Sequence, residues 1–563
     1  MPEYLAPAVY VEETSFRAKS IEGVSTSTTA FVGPTRKGPT TGTPELITSF
    51  GDFERIYGGF GNLSFSGGVP NYIAHAIRNY YDNGGSRLFV ARVYMPPGGG
   101  AGVAESAFIG DNPDNANNIR FVARTPGTIG NGQATVNLVP SAATAQSMLR
   151  APQGTMLNDG SNNLFIRRGD NWFDSSDTPL PGPVGAGAAF VTINVLTRDD
   201  DANETFYEDM GFTPGHPRYI GDVLSATPTR RIEQLENTFA IAVGTGVTPF
   251  RLHEILAAIT NPITLANGSD GGEPNAGAYI QPLLDLARVE EISIIAAPGY
   301  SSFADRNGIQ EALLTHVETR RAYRFAVLDA PANQTVTEAL TVKSRIDSTY
   351  AALYYPWVVT SNPLSRPNDE SIPREIMLPP SGFICGIFAR NDVNRSVSKS
   401  PGNEIVRGAI RFETDISFAE QEVLNPRGVN CLRFFPGRGY RLWGARTTSS
   451  DPEWKYVGPR RYFIYLEHSI DRSTQWAVFE NNGPRLWSNI RETVSDFLYN
   501  EWRSGALLGS RLDEAYFVRC DRSTMTQNDL DNGRLICLIG VAVLKPAEFV
   551  IFRIGQKTAD ARN

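Results

Sequence analysis

Between residues 292 and 359, short apolar runs alternate with longer amphipathic stretches, and this order limits the possible folds more than any other feature of the sequence. The three runs and the two stretches between them are, in chain order, residues 292–297, 306–319, 325–328, 335–349 and 352–359. In the first stretch, apolar side chains recur at helical spacing: Ile309, Leu313, Leu314 and Val317. Short runs that are apolar on both faces are typical of buried parallel strands. The pattern therefore predicts a parallel sheet with helices on both faces.

Length and composition narrow the class of protein. A chain of 563 residues predicts roughly three or four domains, and 41% hydrophobic with 20% charged residues is typical of globular proteins. The formal net charge of −8 argues against a dedicated nucleic-acid-binding protein, which normally has a basic surface. The four cysteines lack C-x-x-C spacing, so we expect reduced thiols. No stretch has the pattern of a membrane span or a secretory signal, so we expect a soluble protein made inside the cell.

The clearest single helix is predicted at residues 484–503. Apolar side chains recur there every three or four residues: Leu486, Trp487, Ile490, Val494, Phe497, Leu498 and Trp502. Pro484 suits the first helical turn, and Gly505 suits the end of the helix. The sequence therefore predicts a long amphipathic helix with one buried face.

The end of the sequence is rich in short strands. After the helix, the pattern predicts a strand at 515–519, a helical turn near 526–530 and two strands on either side of Lys545 and Pro546. In residues 549–554, both alternating sets of side chains are largely apolar. A terminal strand of this kind needs cover on both faces.

The first 23 residues have the pattern of an extended arm. Residues 8–13 are strand-like, and Pro2 and Pro7 exclude a helix before them. A segment this short buries little of itself, so we expect it to pair with another strand. Farther on, a glycine-rich linker at 95–102 leads into a β-rich region with its clearest strands at 118–124 and 190–196; residues 140–185 support no prediction.

The familiar spacings of catalytic and metal-binding residues are missing or incomplete. Residues 33–38 have the glycine spacing of a phosphate-binding loop, but Pro39 stands where its lysine must be. The three aspartates 199–201 could hold a divalent cation, yet a solvated surface loop is the favoured interpretation because the rest of a calcium loop is absent. Residues 297–302 follow a strand, the usual place for catalytic groups in α/β enzymes, without a predictable base. No H-E-x-x-H or G-x-S-x-G occurs. We expect no enzymatic activity, no cofactor and no metal.

A series of motifs resembles those of contractile tail sheath proteins, which form the outer sleeve of contractile phage tails and phage-like injection systems. The strongest are GYRLWGARTTSSDPEWKYV at 439–457, QWAVFENNGPRLW at 475–487, CDRSTMTQ at 520–527 and the segment 531–554. Further similar segments lie at 23–34, 83–92, 378–383 and 424–430. The resemblance covers nearly the whole chain and is weakest over 103–265. It is specific because many motifs occur in the family's order.

The resemblance implies a structural subunit. Sheath proteins polymerise as stacked hexameric rings around an inner tube, and they contract from a metastable extended state to drive the tube through a target envelope. The implied partners are the chain itself, an inner tube protein, and baseplate and tail-terminator or cap proteins, without nucleic acid and without direct membrane insertion. Assembly in the bacterial cytoplasm is implied, within a particle that is either released or membrane-anchored. The alternative is another structural component of the same machine, an inner tube or baseplate protein.

The resemblance also implies that terminal arms add strands to a neighbour's sheet. The candidate intersubunit residues are Ala8, Val9, Tyr10, Val11 and Glu12 in the first arm, and Phe549, Val550, Ile551, Phe552 and Ile554 in the second. The alternative is that both termini pair within their own subunit. Arg485, Arg491 and Arg503, off the apolar stripe of the 484–503 helix, are candidates for an inner-tube contact; a solvated helix face is the alternative.

Residues and resemblance together give the expected fold class. It is a multidomain α+β or α/β protein, with an α/β core domain, a C-terminal α+β domain with strand-exchanging arms, and a β-rich outer insertion domain. The expected units are an N-terminal arm (1–23), the start of the core (24–102), the outer insertion (103–265), the α/β core (266–375), the C-terminal sheath domain (376–535), and the terminal strands and arm (536–563).

Overall fold

A nine-stranded sheet forms the centre of the molecule, whose computed structural model describes residues 20–98, 100–110, 115–185 and 187–552. Its strands, in spatial order, are Glu404–Ile405, Gly439–Trp443, Val429–Phe435, Ala351–Tyr355, Phe325–Asp329, Ile294–Ala296, Thr29–Gly33, Leu88–Arg92 and Leu46–Ile47. The six strands from Val429–Phe435 to Leu88–Arg92 are parallel, and the strands outside them are antiparallel. The predicted parallel sheet is confirmed.

Helices cover both faces of this sheet, as predicted. One core contains side chains of the helices Phe50–Tyr57, Tyr72–Asp82 and Ser381–Asn394. The opposite core contains side chains of Ala276–Ala287, Arg306–Glu318, Val336–Lys343 and Phe418–Leu424. Because side chains alternate along a strand, Phe31 enters the first core while Ala30 and Val32 enter the second. The central strands are therefore buried on both faces.

Two predicted elements near the sheet are wrong in extent. The helix expected over 335–349 ends at Lys343, because the following turn buries Ile346 and brings the Ser348 hydroxyl to Glu318. The strand expected over 352–359 is two strands, Ala351–Tyr355 in the large sheet and Val358–Ser361 in a three-stranded sheet with Glu375–Leu378 and Arg411–Phe412. Pro356 lies between them and has no N–H for a strand ladder.

A second sheet of seven antiparallel strands lies within residues 133–264. Its strands are Ile263–Thr264, Gln133–Ala142, Ala189–Arg198, Met156–Asn158, Leu164–Arg168, Asn171–Phe173 and Glu204–Met210. Beside it, Ile119–Ala123 pairs with Phe239–Val243, and the nearby helices are Ala145–Arg150, Ile220–Val223, Arg231–Glu236 and Pro249–Ala257. Most of these elements share a hydrophobic core of their own. The helix Ala145–Arg150 and the strand Asn171–Phe173 instead contribute to a small separate cluster, and Leu235 of Arg231–Glu236 packs against the core of the large sheet. The strands predicted at 118–124 and 190–196 are confirmed, and residues 140–185 supply strands to the same sheet.

The C-terminal part of the described chain forms another compact core. Its elements are the helices Val457–Ser473, Pro484–Arg503, Leu512–Ala515 and Gln527–Asp531 and the strands Tyr516–Arg519 and Leu538–Val541. The predicted helix 484–503 is confirmed, and six of its seven stripe residues are fully buried, with Trp502 partly buried. Among the described residues, no helix has the length and apolarity needed to cross a membrane.

Candidate assembly interface

A two-stranded antiparallel sheet near the C-terminus has two large apolar side chains on its outer face, beside the exposed Arg519, whose guanidinium lies 5.3 Å from the centre of the Phe517 ring. Tyr516–Arg519 pairs with Leu538–Val541, with Phe517 opposite Gly540 and Arg519 opposite Leu538. The side chains of Tyr516 and Val518 pack inward against the core that contains the Pro484–Arg503 helix. On the other face, Phe517 and Leu538 are exposed. Within the described part of the chain, neither strand pairs with a third strand, so both edges have free backbone groups.

Glu548 ties the C-terminal segment to the body of the protein. Its carboxylate accepts hydrogen bonds from Arg446 Nε at 2.8 Å and Nη2 at 2.6 Å, from Asn425 Nδ2 at 2.7 Å and from the Tyr456 hydroxyl at 3.0 Å. Arg446 is only 5% exposed, and its own N–H donates to Asn430 Oδ1. Burial alone would raise the pKa of Glu548, but the hydrogen bonds from Arg446, Asn425 and Tyr456 outweigh it and leave the pKa lowered. The carboxylate is thus held in its charged form.

Directly beyond this anchor, the chain is apolar and unpaired in the described structure. Phe549, Val550, Ile551 and Phe552 are each between 68% and 84% exposed and lie outside any strand. Ile554, the last residue of the candidate arm strand, lies outside the described residues. Four consecutive large apolar side chains on the surface are costly in water, and such patches usually mark interaction sites.

At the other end of the chain, the described structure begins with an anchored segment. The Val24 N–H donates to the Ser469 hydroxyl at 3.1 Å, and Arg461 Nη2 donates to the Thr26 carbonyl at 2.9 Å. Both partners are on the helix Val457–Ser473. The candidate arm residues 8–12 lie outside the described residues, so their pairing stays a prediction.

The three candidate inner-tube arginines do not form one patch. Arg485 and Arg503 are exposed, and a separation of five helical turns places them on the same face. Glu492 and Asp496 lie between them on that face, also exposed. Arg491 faces elsewhere: it is partly buried, and its Nη2 donates to the Ser488 hydroxyl at 3.3 Å. The face with Arg485 and Arg503 therefore has mixed charge rather than a concentrated positive charge.

Two models of one protein family match consecutive parts of this chain. The phage tail sheath protein central domain matches residues 272–448, and the phage tail sheath C-terminal domain matches residues 449–557. The chain belongs to the phage tail sheath family. The second match includes the two-stranded sheet, Glu548 and the exposed apolar residues, so all three features lie within the family's own domain.

Individual relatives agree with the family. The putative prophage major tail sheath protein of Pseudomonas aeruginosa is 24% identical over 309 residues, 53% of this chain and 74% of that protein. The tail sheath protein of Enterobacteria phage T4 is 23% identical over 177 residues, 31% of this chain. The matched region spans only 26% of the T4 protein.

Solved structures share the fold over almost the whole length. The anti-feeding prophage helical sheath in its contracted state has a TM-score of 0.55 at 20% identity, covering 98% of this chain and 99% of that one. The sheath complex of an extracellular contractile injection system in its contracted state gives 0.54 at 18% identity, covering 99% of each. A chain of the anti-feeding prophage baseplate gives 0.51 at 20% identity, covering 99% and 100%. These structures show the fold of the chain, while its membership of the sheath family is shown by the two family models.

The apparent phosphate loop of this sheath protein is a contact between its two large sheets. Arg36, in the loop after the strand Thr29–Gly33, is buried and pairs with Asp201 and, at 3.6 Å, with Asp200. Lys37 Nζ lies 3.4 Å from the Thr238 hydroxyl. The solvated loop expected for the three aspartates is confirmed for Asp200 and Asp201, which stay exposed while they pair with Arg36. It is wrong for Asp199, which is buried because its carboxylate accepts hydrogen bonds from the N–H and the side-chain amide of Asn203. Among the described residues, no group of three or more potential ligands could hold a metal ion.

The loop at 297–302 has a structural role as well. The Tyr300 hydroxyl donates to the Asp329 carbonyl at 3.2 Å, while the Asp329 carboxylate accepts from the Ser381 N–H at 2.7 Å and hydroxyl at 2.6 Å. Asp329 thereby caps the helix Ser381–Asn394. The strand end where an enzyme would place its catalytic groups is used here to attach a helix.

Sequence reasoning missed the Glu548 anchor. Its signal was nonetheless present, because Glu548 is the one acidic residue in the largely apolar segment 538–552. A carboxylate in such a segment needs a cationic partner when it is buried. Arg446 could have been suspected from its place in the motif at 439–457, but only the fold brings the two residues together.

Proposed function

We propose that this protein is the structural subunit of a contractile sheath, polymerising as stacked hexameric rings around an inner tube. In this proposal the sheath is built in a metastable extended state, and its contraction drives the tube through a target envelope. The observation that carries the proposal is the exposed apolar segment 549–552, anchored at Glu548 in a chain whose C-terminal two-stranded sheet has free edges. The function requires no cofactor.

The free edges and the exposed segment are complementary. An extended segment that adds to an open sheet edge gains backbone hydrogen bonds, while its alternating side chains set the register. Each net hydrogen bond contributes about 1 kcal/mol, and buried apolar surface adds about 25 cal/mol per Å². Phe549 and Ile551 would face one side of the enlarged sheet, and Val550 and Phe552 the other. We infer that the acceptor is the sheet of a neighbouring subunit and that residues 8–12 add to it as well.

Such strands would keep subunits connected while the rings move. Contraction is then a shift between two packings of the same subunits. A difference of a few kcal/mol per subunit (about a hundredfold or more in each local equilibrium) becomes effectively irreversible when summed over many rings. The anchors at Glu548 and at Val24 would fix where each arm leaves the rigid body.

The remaining partners follow from the same arrangement. We propose contacts with an inner tube protein, with a baseplate and with a tail-terminator or cap protein. Arg485 and Arg503 are the inner-tube candidates that the exposed helix face favours, with Arg491 less favoured because it is partly buried. The unit at 103–265, with its separate core, is proposed to lie on the outside of the sleeve.

Negative-stain electron microscopy of the full-length protein expressed alone tests the proposal. We expect hollow, ridged cylinders, formed when the sheath polymerises without its tube. A chain ending at residue 548 should give only dispersed particles, because it lacks the arm strand but keeps the anchor. A chain ending at residue 555 is the matched control and should still give cylinders. Cylinders from the chain ending at 548 would contradict the role of the arm.

Proline substitutions sharpen this experiment. Val550→Pro and Ile551→Pro each remove one backbone N–H from the arm, and these N–H groups point to opposite edges of a strand. If the arm lies at the edge of the neighbour's sheet, one variant should block assembly far more than the other. If it lies between two strands, both should block it. Val550→Ala and Ile551→Ala are the controls for lost side-chain volume.

A baseplate component of the same machine is the second candidate, favoured by the likeness to a chain of the anti-feeding prophage baseplate. It differs from a sheath subunit in how it assembles. Closed rings that do not stack into cylinders, in the full-length protein and in the chain ending at 555 alike, would favour the baseplate. An inner tube protein has no specific support from the fold.

A further inference from the structure

Two cysteines face each other at the end of the two-stranded sheet. The strand register places Arg519 opposite Leu538, so the next residues along the ladder are Cys520 and Cys537. Opposite residues in an antiparallel pair have Cα atoms about 4.5–5.5 Å apart. This is within the range that a disulfide spans without moving the backbone.

Side-chain contacts support the same pairing. Both thiols belong to the same hydrophobic core of the C-terminal domain, Cys520 fully buried and Cys537 partly exposed. The Thr524 hydroxyl donates to the Ile536 carbonyl at 2.7 Å, which holds the intervening loop closed beside them. Cys385 and Cys431 lie in two other cores, on opposite faces of the large sheet. All four cysteines are free thiols, and only Cys520 and Cys537 are positioned as a pair.

We propose that Cys520 and Cys537 form a reversible disulfide site, closed by a small-molecule disulfide such as oxidised glutathione. The Cys537 thiolate, on the more exposed residue, attacks one sulfur of the small disulfide and displaces a glutathione thiolate. Cys520, after losing its proton, attacks the Cys537 sulfur of the mixed disulfide and displaces the second glutathione. The protein loses two protons and two electrons, and oxidised glutathione is reduced to two glutathione molecules.

The environment of the pair sets the rate of this reaction. Burial raises the pKa of both thiols, that of Cys537 to about 12, with a further increase from Cys520 that the nearby Arg491 guanidinium partly offsets. Thiolates are therefore scarce at neutral pH, and closure accelerates as pH rises. The site stays open in a reducing cell interior and closes slowly in an oxidising medium. The bond would fasten the end of the sheet that has the exposed Phe517 and Leu538 side chains.

Peptide mapping of the full-length protein tests the site. The protein is incubated with oxidised glutathione at mildly alkaline pH, its remaining thiols are alkylated under denaturing conditions, and the fragments are analysed by mass spectrometry. We expect two of the four thiols to disappear, with one cross-linked fragment pair joining Cys520 and Cys537 within a single chain. The oxidised protein should unfold at a higher temperature, and a reductant should reverse the shift.

Protein made in a bacterial cytosol that lacks thiol-reducing enzymes gives the folding chain access to the oxidant, so slow access to the buried pair cannot hide the result. Cys537→Ser should leave Cys520 unmodified and abolish the rise in unfolding temperature, whereas Cys385→Ser should keep the 520–537 link. Three results would overturn the proposal: four free thiols from both routes, a glutathione adduct that persists on Cys537, or links only between different chains.

Discussion

Asp392 and Arg461 form an ion pair with side chains that are only 2% and 3% exposed, joined by hydrogen bonds of 2.7 and 3.0 Å. The pair links the helix Ser381–Asn394 to the helix Val457–Ser473. Arg461 also holds the Thr26 carbonyl, and its guanidinium lies 4.7 Å from the centre of the Phe388 ring. One buried cation thus connects the helices Ser381–Asn394 and Val457–Ser473 with the segment at Thr26 that precedes the strand Thr29–Gly33.

Removing the charge of Asp392 should destabilise the protein strongly. Asp392→Asn keeps the size of the side chain but leaves the Arg461 charge buried without its partner. The free energy of unfolding should fall by about 3–5 kcal/mol, the usual cost of breaking a buried pair from one side. Urea unfolding measures it. Asp513→Asn, in the exposed Arg511–Asp513 pair, is the control and should change stability by less than about 1 kcal/mol; equal effects would contradict the role of burial.

Glu548→Gln should release the C-terminal segment from the body. The amide cannot compensate the Arg446 charge, so backbone amides after residue 548 and the Tyr456 side chain should become more mobile. Hydrogen exchange measured by mass spectrometry should show faster exchange at the 425–430 and 446–456 segments, and cylinder formation should decrease. The control is Glu453→Gln, at an exposed position three residues before Tyr456. It should change neither the exchange rates nor cylinder formation. Unchanged exchange in Glu548→Gln would mean that the anchor contributes little.

Because the pKa of Glu548 is lowered in the folded protein, its stabilising contribution is present above the ordinary glutamate pKa of about 4.3. It is lost as pH falls through the lower, folded value. We therefore expect release of the segment only under strongly acidic conditions in the wild type, and at all pH values in Glu548→Gln.

Gly386 permits a close contact between two helices. A Cβ at this position would lie 2.5 Å from the Tyr80 carbonyl oxygen, which is backbone and cannot turn aside. Gly386→Ala should therefore force the helices Ser381–Asn394 and Tyr72–Asp82 apart and lower the unfolding free energy by about 1–3 kcal/mol. Gly51 is the control, because its added Cβ would have no neighbour closer than 3.8 Å. Gly51→Ala should be neutral or stabilising by up to about 1 kcal/mol.

Two histidines, the buried His75 and the partly buried His316, should make the protein sensitive to mild acid. Burial lowers the pKa of His75 to about 4, and burial together with the Arg324 cation lowers the pKa of His316 to about 4. In the unfolded chain both titrate near 6.5, so the unfolded state binds more protons between these values. Stability should fall as pH decreases from about 6.5 to about 4, by up to about 3 kcal/mol for His75. Urea unfolding across this range measures the slope, and His75→Asn should reduce it.

Asp329 has the opposite effect to the two histidines on how stability changes with pH. Burial raises its pKa to about 7, even though two hydrogen bonds from Ser381 act to lower it. Below this value the folded protein binds a proton that the unfolded chain, with an aspartate pKa near 3.9, does not bind. This group therefore adds stability as pH falls from about 7. Asp329→Asn removes that contribution, so its loss of stability in acid should be steeper than that of the wild type. An identical slope would contradict the raised pKa.

The elements that the sequence predicted well are those that local pattern determines. The helix Pro484–Arg503 has a complete apolar stripe, a proline in its first turn and a glycine after its end, and its predicted limits are confirmed. The parallel strands were equally predictable from the sequence, because short apolar runs alternate with amphipathic stretches between residues 292 and 359. The family was identifiable from ordered motifs.

The elements that it missed depend on contacts between distant segments. The local sequence around Pro356 does not indicate that the strands on its two sides belong to different sheets. Nor does any local pattern indicate that Arg36 contacts Asp200 and Asp201, which are more than 160 positions away. The same holds for Glu548 and Arg446, which are 102 positions apart. The mixed charge of the arginine face, in contrast, was within reach of the sequence, because helical spacing within the predicted helix already places Glu492 and Asp496 beside Arg485 and Arg503.

The Glu548 anchor sets a limit on the geometry of any assembly that uses the adjoining strand. Six extended residues, 549–554, reach at most about 20 Å, so the edge that receives them must lie within that radius of the carboxylate. Two neighbouring subunits joined by this short segment can rotate relative to each other, but they cannot move farther apart than its length while both the anchor and the strand pairing persist. A segment of this length would therefore limit how far neighbouring subunits can rotate and slide relative to each other.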